Sequence, residues 1–207
     1  MAKRKRKKRH KKTFKSKNFF EKAKRFLLSP KKAFKAERKT RLGETFKYGL
    51  IGLAILGILT GIIYLAFPLQ AIPFAGPTLF LMLLVLTVIF GFIIFVIGGL
   101  WLHLWAYIFG ARKGPEQTMK AYFYAKTPTF FLGWLPLISF IGAIWSVILE
   151  VIGLKQLQNM STGRAAGAVI IAIIIPMIIF IILIFWVLNL AATTMGTIPS
   201  GMFNLPT

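Results

Sequence analysis

Long apolar runs fill the chain from residue 45 onward and predict helices that cross a membrane. A helix that spans roughly 30 Å of hydrocarbon needs about 20 mostly apolar residues. Three runs meet this requirement directly, at 45–67, 78–109 and 165–190. The second run is longer than one crossing needs, so we expect it to tilt or kink. These runs alone place the body of the chain among multi-pass membrane proteins.

The segment 117–154 is ambiguous by hydropathy, because it fits either one long span or two short ones that meet at a Gly-Trp-Leu-Pro corner. Charge placement separates the two alternatives, since cytosolic loops carry Lys and Arg and short translocated loops do not. Two spans, 117–134 and 136–154, keep every basic loop residue on one side. Those residues are Arg112, Lys113, Lys155 and Arg164.

The resulting fold class is an all-α integral membrane protein. We predict a membrane domain at 45–190, a bundle of five transmembrane helices, preceded by a basic tail and a cytosolic amphipathic helix. The N-terminus is expected in the cytoplasm of a multi-pass protein of the cell membrane. The residues after the last span, 191–207, are expected to form an external tail without basic residues.

Apolar residues at helical spacing also occur just before the first span and predict amphipathic helices over 18–44. The pair Ser29 and Pro30 is typical of a helix start within this region. The aromatic face has two compatible placements, in the headgroup layer or under the cytosolic ends of the spans. The aromatic residues expected to contact lipid or a partner are Phe19, Phe20 and Phe26.

Charge is distributed as unevenly as hydropathy. The formal net charge is +22, and residues 1–47 hold 21 of the 27 Lys and Arg. Such a cationic run without apolar periodicity predicts a disordered polybasic tail over 1–17. Anionic headgroups, an acidic partner and RNA phosphates all fit its charge, but no folded RNA-binding motif accompanies it, so a nucleic-acid partner is disfavoured. The contact residues proposed in the tail are Lys3, Arg4, Lys5, Arg6, Lys7, Lys8 and Arg9.

Four ionisable residues fall inside or near the predicted spans: Lys120, Lys126, Glu150 and His103. Because an isolated charge in lipid is costly, Glu150 is expected to face Lys120 or Lys126, to be protonated, or to reach water near the interface. Lys120 and Glu150 lie at equal distances from the corner, which predicts similar depths. His103 is either a functional proton or ligand group or part of an aromatic belt at the interface.

Composition excludes most catalytic sites. The chain has no Cys, no Asp and only two His, which leaves few parts for a nucleophilic triad or a metal centre. Ser139 or Ser146 with His103 would be a poor set for an intramembrane enzyme. We therefore expect a protein without enzymatic activity, metal or cofactor.

Short motifs between the second and last spans resemble the Yip (Ypt-interacting protein) domain family in a prokaryotic, archaeal form. They include Glu-Gln at 116–117, Thr-Pro at 127–128 and Gly-Leu-Lys at 153–155. Ser-Pro-Lys-Lys-Ala-Phe at 29–34 precedes the first span. The residues expected to have structural roles in these motifs are Pro128, Gly133, Trp134, Pro136, Ser161, Thr162 and Gly163.

The resemblance implies five spans and a cytosolic N-terminus, in agreement with the charge argument. Eukaryotic members are linked to small GTPases of the Rab class and carry an Asp-Leu-Tyr-Gly-Pro motif. Since this chain has no Asp, a GTPase partner does not carry over. In the shared loop 155–164, Ser161 or Thr162 is expected to cap the last helix, while Arg164 reaches phosphate headgroups or helix carbonyls.

Two functions remain after these exclusions. The favoured one is a non-enzymatic protein that organises membrane lipid, other membrane proteins or copies of itself, with its basic N-terminus as contact surface. The alternative is a small transporter or channel that uses Lys126, Glu150 and His103, with helix breaks at Pro128 and Pro136. Broken helices and buried charges can build such a site.

Overall fold

A computed structural model describes residues 18–66 and 76–196. The predicted polybasic tail with Lys3 to Arg9, most of the loop after the first span, and residues 197–207 lie outside the described residues. Within the described ranges all regular elements are α-helices, which confirms the all-α class. They are α1 (Phe19–Leu28), α2 (Pro30–Glu37), α3 (Leu42–Ala66), α4 (Pro77–Ile108), α5 (Pro115–Ala125), α6 (Thr127–Leu132), α7 (Ser139–Leu157) and α8 (Thr162–Gly196).

Four of the described helices, α3, α4, α7 and α8, are long and apolar enough to cross a membrane. The segment predicted as the third span is different, because it is divided at Lys126 into α5 and α6. Each of these two helices is shorter than the length a crossing requires. The stretch 191–196, predicted as the start of a tail, is instead the last part of α8.

The segment 117–154 is not one continuous helix, because the chain reverses between α6 and α7. The two arms pack against each other. The Thr129 and Ser146 hydroxyls lie 3.0 Å apart, and a Cβ added to Gly142 would lie 3.1 Å from Leu132. We call residues 115–157 the hairpin and residues 133–138 its corner. The corner contains no charged residue.

Helices α1 and α2 pack beneath the hairpin. The rings of Phe26 and Phe34 are fully buried, and Phe26 stacks on Tyr124 of α5 at a centroid distance of 4.6 Å. In contrast, Phe20 is 67% exposed and Leu28 is 71% exposed. The same helix pair therefore contributes to the protein core and presents apolar side chains to its surroundings.

Helix α8 packs on the bundle only through its first turns. Its buried residues are Ala165, Ala168, Val169 and Ala172. The Trp101 indole of α4 donates to the carbonyl of Ala172 at 2.9 Å. From Met177 to Leu190 every described residue is exposed, so this part of α8 is surrounded by space that lipid would fill.

Candidate functional site

A buried carboxylate joins α1 and α2 to α5. Glu37, at the end of α2, is 6% exposed. Its Oε2 lies 3.1 Å from the Lys22 ammonium of α1. The same oxygen accepts hydrogen bonds from the hydroxyls of Thr40 at 2.7 Å and Tyr124 at 3.1 Å. With its charge matched and its oxygen saturated, this carboxylate is suited to fixing α1 and α2 against α5 and not to proton transfer.

A second set of buried hydroxyls continues from this carboxylate along α3. Thr45 donates to the Tyr124 hydroxyl at 3.2 Å. One turn further, the hydroxyls of Tyr48 and Thr127 lie 2.8 Å apart. These bonds fix the register of α3 against α5 and α6. The two segments run parallel, and each leads away from the end of the bundle where α1 and α2 pack. Sequence reasoning missed Glu37 and Thr45; the one available signal was an acidic residue within an otherwise basic segment.

Lys126 and Glu150 form a mostly buried charge pair inside the bundle. Lys126 Nζ lies 2.6 Å from Glu150 Oε1, and the ammonium is 4.5 Å from the centre of the Tyr122 ring. Lys126 occupies the break between α5 and α6, where the helix turns. Of the arrangements that the sequence left open for Glu150, the structure places this lysine against it.

Lys120 does not face Glu150. Its ammonium lies 2.7 Å from Glu116 on the same helix and 3.4 Å from the carbonyl oxygen of Arg38. Equal depths for Lys120 and Glu150 require a continuous helical rise on both sides of the corner. The break at Lys126 and the non-helical corner remove that symmetry, so Lys126 and not Lys120 is the residue that pairs with Glu150.

His103 belongs to a polar junction between the α4–α5 loop and the end of α7. Its Nδ1 lies 2.9 Å from the Thr118 hydroxyl, which also accepts from the buried Gln158 amide at 2.9 Å. Gln158 further donates to the Gly114 carbonyl at 2.7 Å and accepts from the Lys113 backbone N–H at 2.9 Å. These bonds cross-link three segments, so the junction is a structural one.

The catalytic set that we considered is not assembled. Ser146 contacts Thr129, Ser139 donates to the Pro136 carbonyl at 2.7 Å, and His103 contacts Thr118. Each side chain therefore has a different partner. In the part of the chain that the structure describes, no group of three His or Glu side chains could hold a metal ion.

The shared loop before α8 has the geometry of a helix start. Ser161 Oγ accepts from the Arg164 backbone N–H at 3.4 Å, as an N-cap residue does. The Lys155 ammonium donates to the Thr162 hydroxyl at 2.6 Å. Gly163 is exposed and has open space around it. The Arg164 side chain is exposed and lies close to Gly110, so it is available to groups outside the protein.

The corner motif residues have local structural roles. Pro128 is buried in the first turn of α6, and Gly133 packs so closely that an added Cβ would lie 3.3 Å from Leu56 of α3. The Trp134 indole donates to the Phe131 carbonyl at 2.7 Å. Trp134 and Pro136 therefore shape the reversal between α6 and α7.

These observations describe a membrane bundle whose polar contacts concentrate at the end where α1 and α2 pack. The sequence model of the Yip1 domain family matches residues 24–186, a range that includes the second half of α1, all of α2 to α7 and most of α8. No curated protein and no solved structure gives a significant match to the chain.

Proposed function

The chain belongs to the Yip1 domain family of membrane proteins, and from this premise we propose that it is a non-enzymatic protein that organises membrane lipid through its shape. The observation that carries the proposal is the contact of the corner with the middle of α3, where Gly133 lies beside Leu56. We propose that the hairpin enters and leaves through the cytosolic face without crossing to the other side.

Contacts with α3 support this depth. Helices α3 and α5–α6 run parallel, with Tyr48 beside Thr127 and Gly133 beside Leu56. Ala66 lies ten residues beyond Leu56, so α3 continues for about 15 Å past the corner. Beyond Leu56, α3 packs on α4 and not on the hairpin: Gly57 lies against Leu84, and Gly61 lies against Phe80.

The lengths of the arms agree with this depth. Exposed lysines of α2 mark the cytosolic surface, and α2 packs on α7 where Gly153 meets Phe34. From there to Ser139, the first residue of α7, is 14 residues, about 21 Å of rise. On the other arm, Tyr124 is nine residues from Gly133, about 14 Å. Measured from this level, both distances are shorter than the roughly 30 Å of hydrocarbon, whereas α7 as a whole has the length of one crossing.

A hairpin of this depth makes the protein a wedge. The cytosolic half contains parts of all eight described helices, whereas beyond the corner the described chain continues only as α3, α4 and α8. An inclusion that is wider in the cytosolic leaflet favours a bilayer that is convex on that side, as inserted amphipathic helices do. The basic loop residues and the polybasic N-terminus support the same orientation, with anionic lipid or an acidic partner as their contact.

The depth can be tested with thiol labelling, because the natural chain has no Cys. Leu137→Cys places a thiol at the corner, where the side chain is 91% exposed. Two controls mark the two faces of the membrane. Lys113→Cys lies in the α4–α5 loop, on the proposed cytosolic side, and Thr193→Cys lies near the end of α8, on the opposite side. A membrane-impermeant maleimide should label each control from one side only, and Leu137→Cys from neither side until detergent is added. Labelling of Leu137→Cys from the face of Thr193→Cys would instead establish the five-span topology.

The wedge shape can be tested by measuring how the protein distributes between vesicles of different size. Full-length protein, reconstituted in one orientation, should concentrate in small vesicles over large ones when its cytosolic face is outside. Protein in the opposite orientation should show the reverse preference. Equal density per lipid area in both vesicle sizes and both orientations would refute the shape-based function.

A transport function is the second candidate, favoured by the buried Lys126–Glu150 pair at the break between α5 and α6. Intramembrane charges at a broken helix are typical of ion and proton pathways. Proteoliposomes with a trapped pH-sensitive dye would test it. Proton flux that is present in the natural protein and lost in Glu150→Gln would favour transport over a purely structural pair.

A further inference from the structure

An open groove lies between the cytosolic ends of α3, α4 and α5. Its volume is about 490 Å³, and apolar side chains make most of its wall. Leu100, on its α4 side, is 52% exposed. The lining side chains that matter here are Phe46, Val96, Leu100 and Met119, with Arg41 and Glu116 as the charged members.

The charged members are not equivalent. The Glu116 carboxylate is matched by Lys120, whose ammonium lies 2.7 Å away. Within the described residues no hydrogen bond or ion pair engages the Arg41 guanidinium, and Arg41 is exposed. The groove therefore combines an apolar wall with a cation that has no partner among the described residues, which is complementary to an anion attached to an apolar chain.

The positions of the lining residues along the helices determine whether the Arg41 guanidinium or the apolar wall lies nearer the bilayer centre. Arg41 immediately precedes the first residue of α3, and Phe46 lies about one turn into that helix. In the proposed orientation the guanidinium is at headgroup level, and the Phe46 ring, which packs on Phe92 of α4 at a centroid distance of 5.5 Å, lies nearer the bilayer centre. Gly99 lets Met119 approach α4 closely, since an added Cβ would lie 2.4 Å from the Met119 sulfur, and this contact closes one side of the groove.

We propose that this groove binds one anionic phospholipid of the cytosolic leaflet. The phosphate of the lipid accepts hydrogen bonds from the Arg41 guanidinium, which presents several N–H donors in a planar fork suited to phosphate. One acyl chain lies along Phe46, Val96 and Leu100. The site rests on the proposed membrane orientation but not on the depth of the corner.

Lipid retention by the full-length protein tests this site. Protein purified in mild detergent would be incubated with phosphatidylglycerol or phosphatidylcholine, and bound lipid counted by native mass spectrometry. Arg41→Gln should weaken phosphatidylglycerol binding by about fivefold, the factor expected for one basic residue near a membrane surface. Lys35→Gln removes an equal charge from exposed α2 and is the matched control.

A second pair of variants tests the apolar part without changing charge. Leu100→Trp should fill the groove and reduce binding of both lipids, whereas Leu104→Trp, one turn along α4 and similarly exposed at 49%, should not. Equal retention of phosphatidylglycerol by the natural protein, Arg41→Gln and Leu100→Trp would overturn the site. Loss in Arg41→Gln and Lys35→Gln alike would show diffuse charge attraction and would also overturn it. Lipid retention tests the groove, whereas labelling of Leu137→Cys tests the depth of the corner. The two proposals can therefore fail separately.

Discussion

Lys126 Nζ lies 2.6 Å from Glu150 Oε1, and this contact joins the break between α5 and α6 to α7. Both side chains are mostly buried, with side-chain exposures of 20% and 4%. Tyr122 adds its ring face to the ammonium. The pair thus links the two arms of the hairpin at the point where one of them changes direction.

Breaking this pair should destabilise the protein strongly. Lys126→Met leaves the Glu150 carboxylate buried without its cation, and such a loss costs about 3 to 5 kcal/mol. Replacing both residues, as Lys126→Met with Glu150→Leu, should recover much of that cost. The free energy of unfolding of purified protein in detergent micelles would provide the double-mutant cycle. Additive effects of the two substitutions would contradict the coupling.

Two glycines of α3 should respond oppositely to alanine. A Cβ on Gly49 would lie 2.4 Å from the buried Phe123 ring, so Gly49→Ala is expected to lose about 1 to 3 kcal/mol through overpacking. Gly43 has nothing within 4 Å of an added Cβ, and Gly43→Ala should gain up to about 1 kcal/mol from helix propensity. Thermal unfolding of both variants measures the difference. A loss in Gly43→Ala as large as that in Gly49→Ala would refute the packing argument.

The aromatic contact of α1 with α5 should hold both amphipathic helices in place. Phe26→Ala removes a fully buried ring stacked on Tyr124, at an expected cost of about 3 to 5 kcal/mol. Phe20→Ala, at an exposed position of the same helix, should change stability by less than about 1 kcal/mol. Trypsin cleavage within α1 and α2 should accelerate in the first variant only. Equal cleavage rates would show that these helices do not depend on the core contact.

The polar junction at the end of α7 depends on Gln158. Gln158→Leu removes bonds to the Lys113 N–H, the Gly114 carbonyl and the Thr118 hydroxyl, and unsatisfied buried groups cost about 1 to 3 kcal/mol each. Hydrogen exchange should therefore increase at the amide of Lys113. Gln156→Leu, two residues earlier and partly exposed, serves as the control. Unchanged protection in Gln158→Leu would exclude the role assigned to this junction.

The polybasic N-terminus should capture anionic membranes in a salt-sensitive way. Vesicles that carry the full-length protein are expected to bind a second population containing phosphatidylglycerol, and binding should weaken as salt rises because the contacts are screened. Deletion of residues 1–17 should abolish it. Vesicle co-sedimentation measures the effect. Capture that persists after the deletion, or that is insensitive to salt, would exclude the tail as the contact surface.

Hydropathy was sufficient to identify the long helices, because α3, α4 and α8 each contain a continuous apolar run. It could not resolve the hairpin, since buried and exposed side chains alternate every few positions along residues 115–157. Lys126 illustrates the difficulty. Pro128 indicates a helix break next to it, but Lys120 and Lys126 were both candidate partners of Glu150, and only the three-dimensional contact shows that Lys126 is the one.

The buried carboxylate at Glu37 was beyond sequence reasoning for a related reason. In the sequence it is one acid among many basic residues, which suggests an exposed surface. Its burial depends on α1 folding back over α2, a tertiary event that brings Lys22 across 15 positions to meet it. Aromatic periodicity predicted a helix in this region, and α1 has both an exposed aromatic residue, Phe20, and a fully buried one, Phe26.

The exposed part of α8 after Ala172 has an evolutionary consequence. Because no described residue from Met177 to Leu190 is buried against the rest of the chain, mutation there is constrained by hydrocarbon solubility and not by shape. Apolar side chains should interchange freely along this stretch among orthologues. Its sequence should therefore drift fastest of all the long helices, while the first turns, around Ala165 and Ala168, stay nearly fixed.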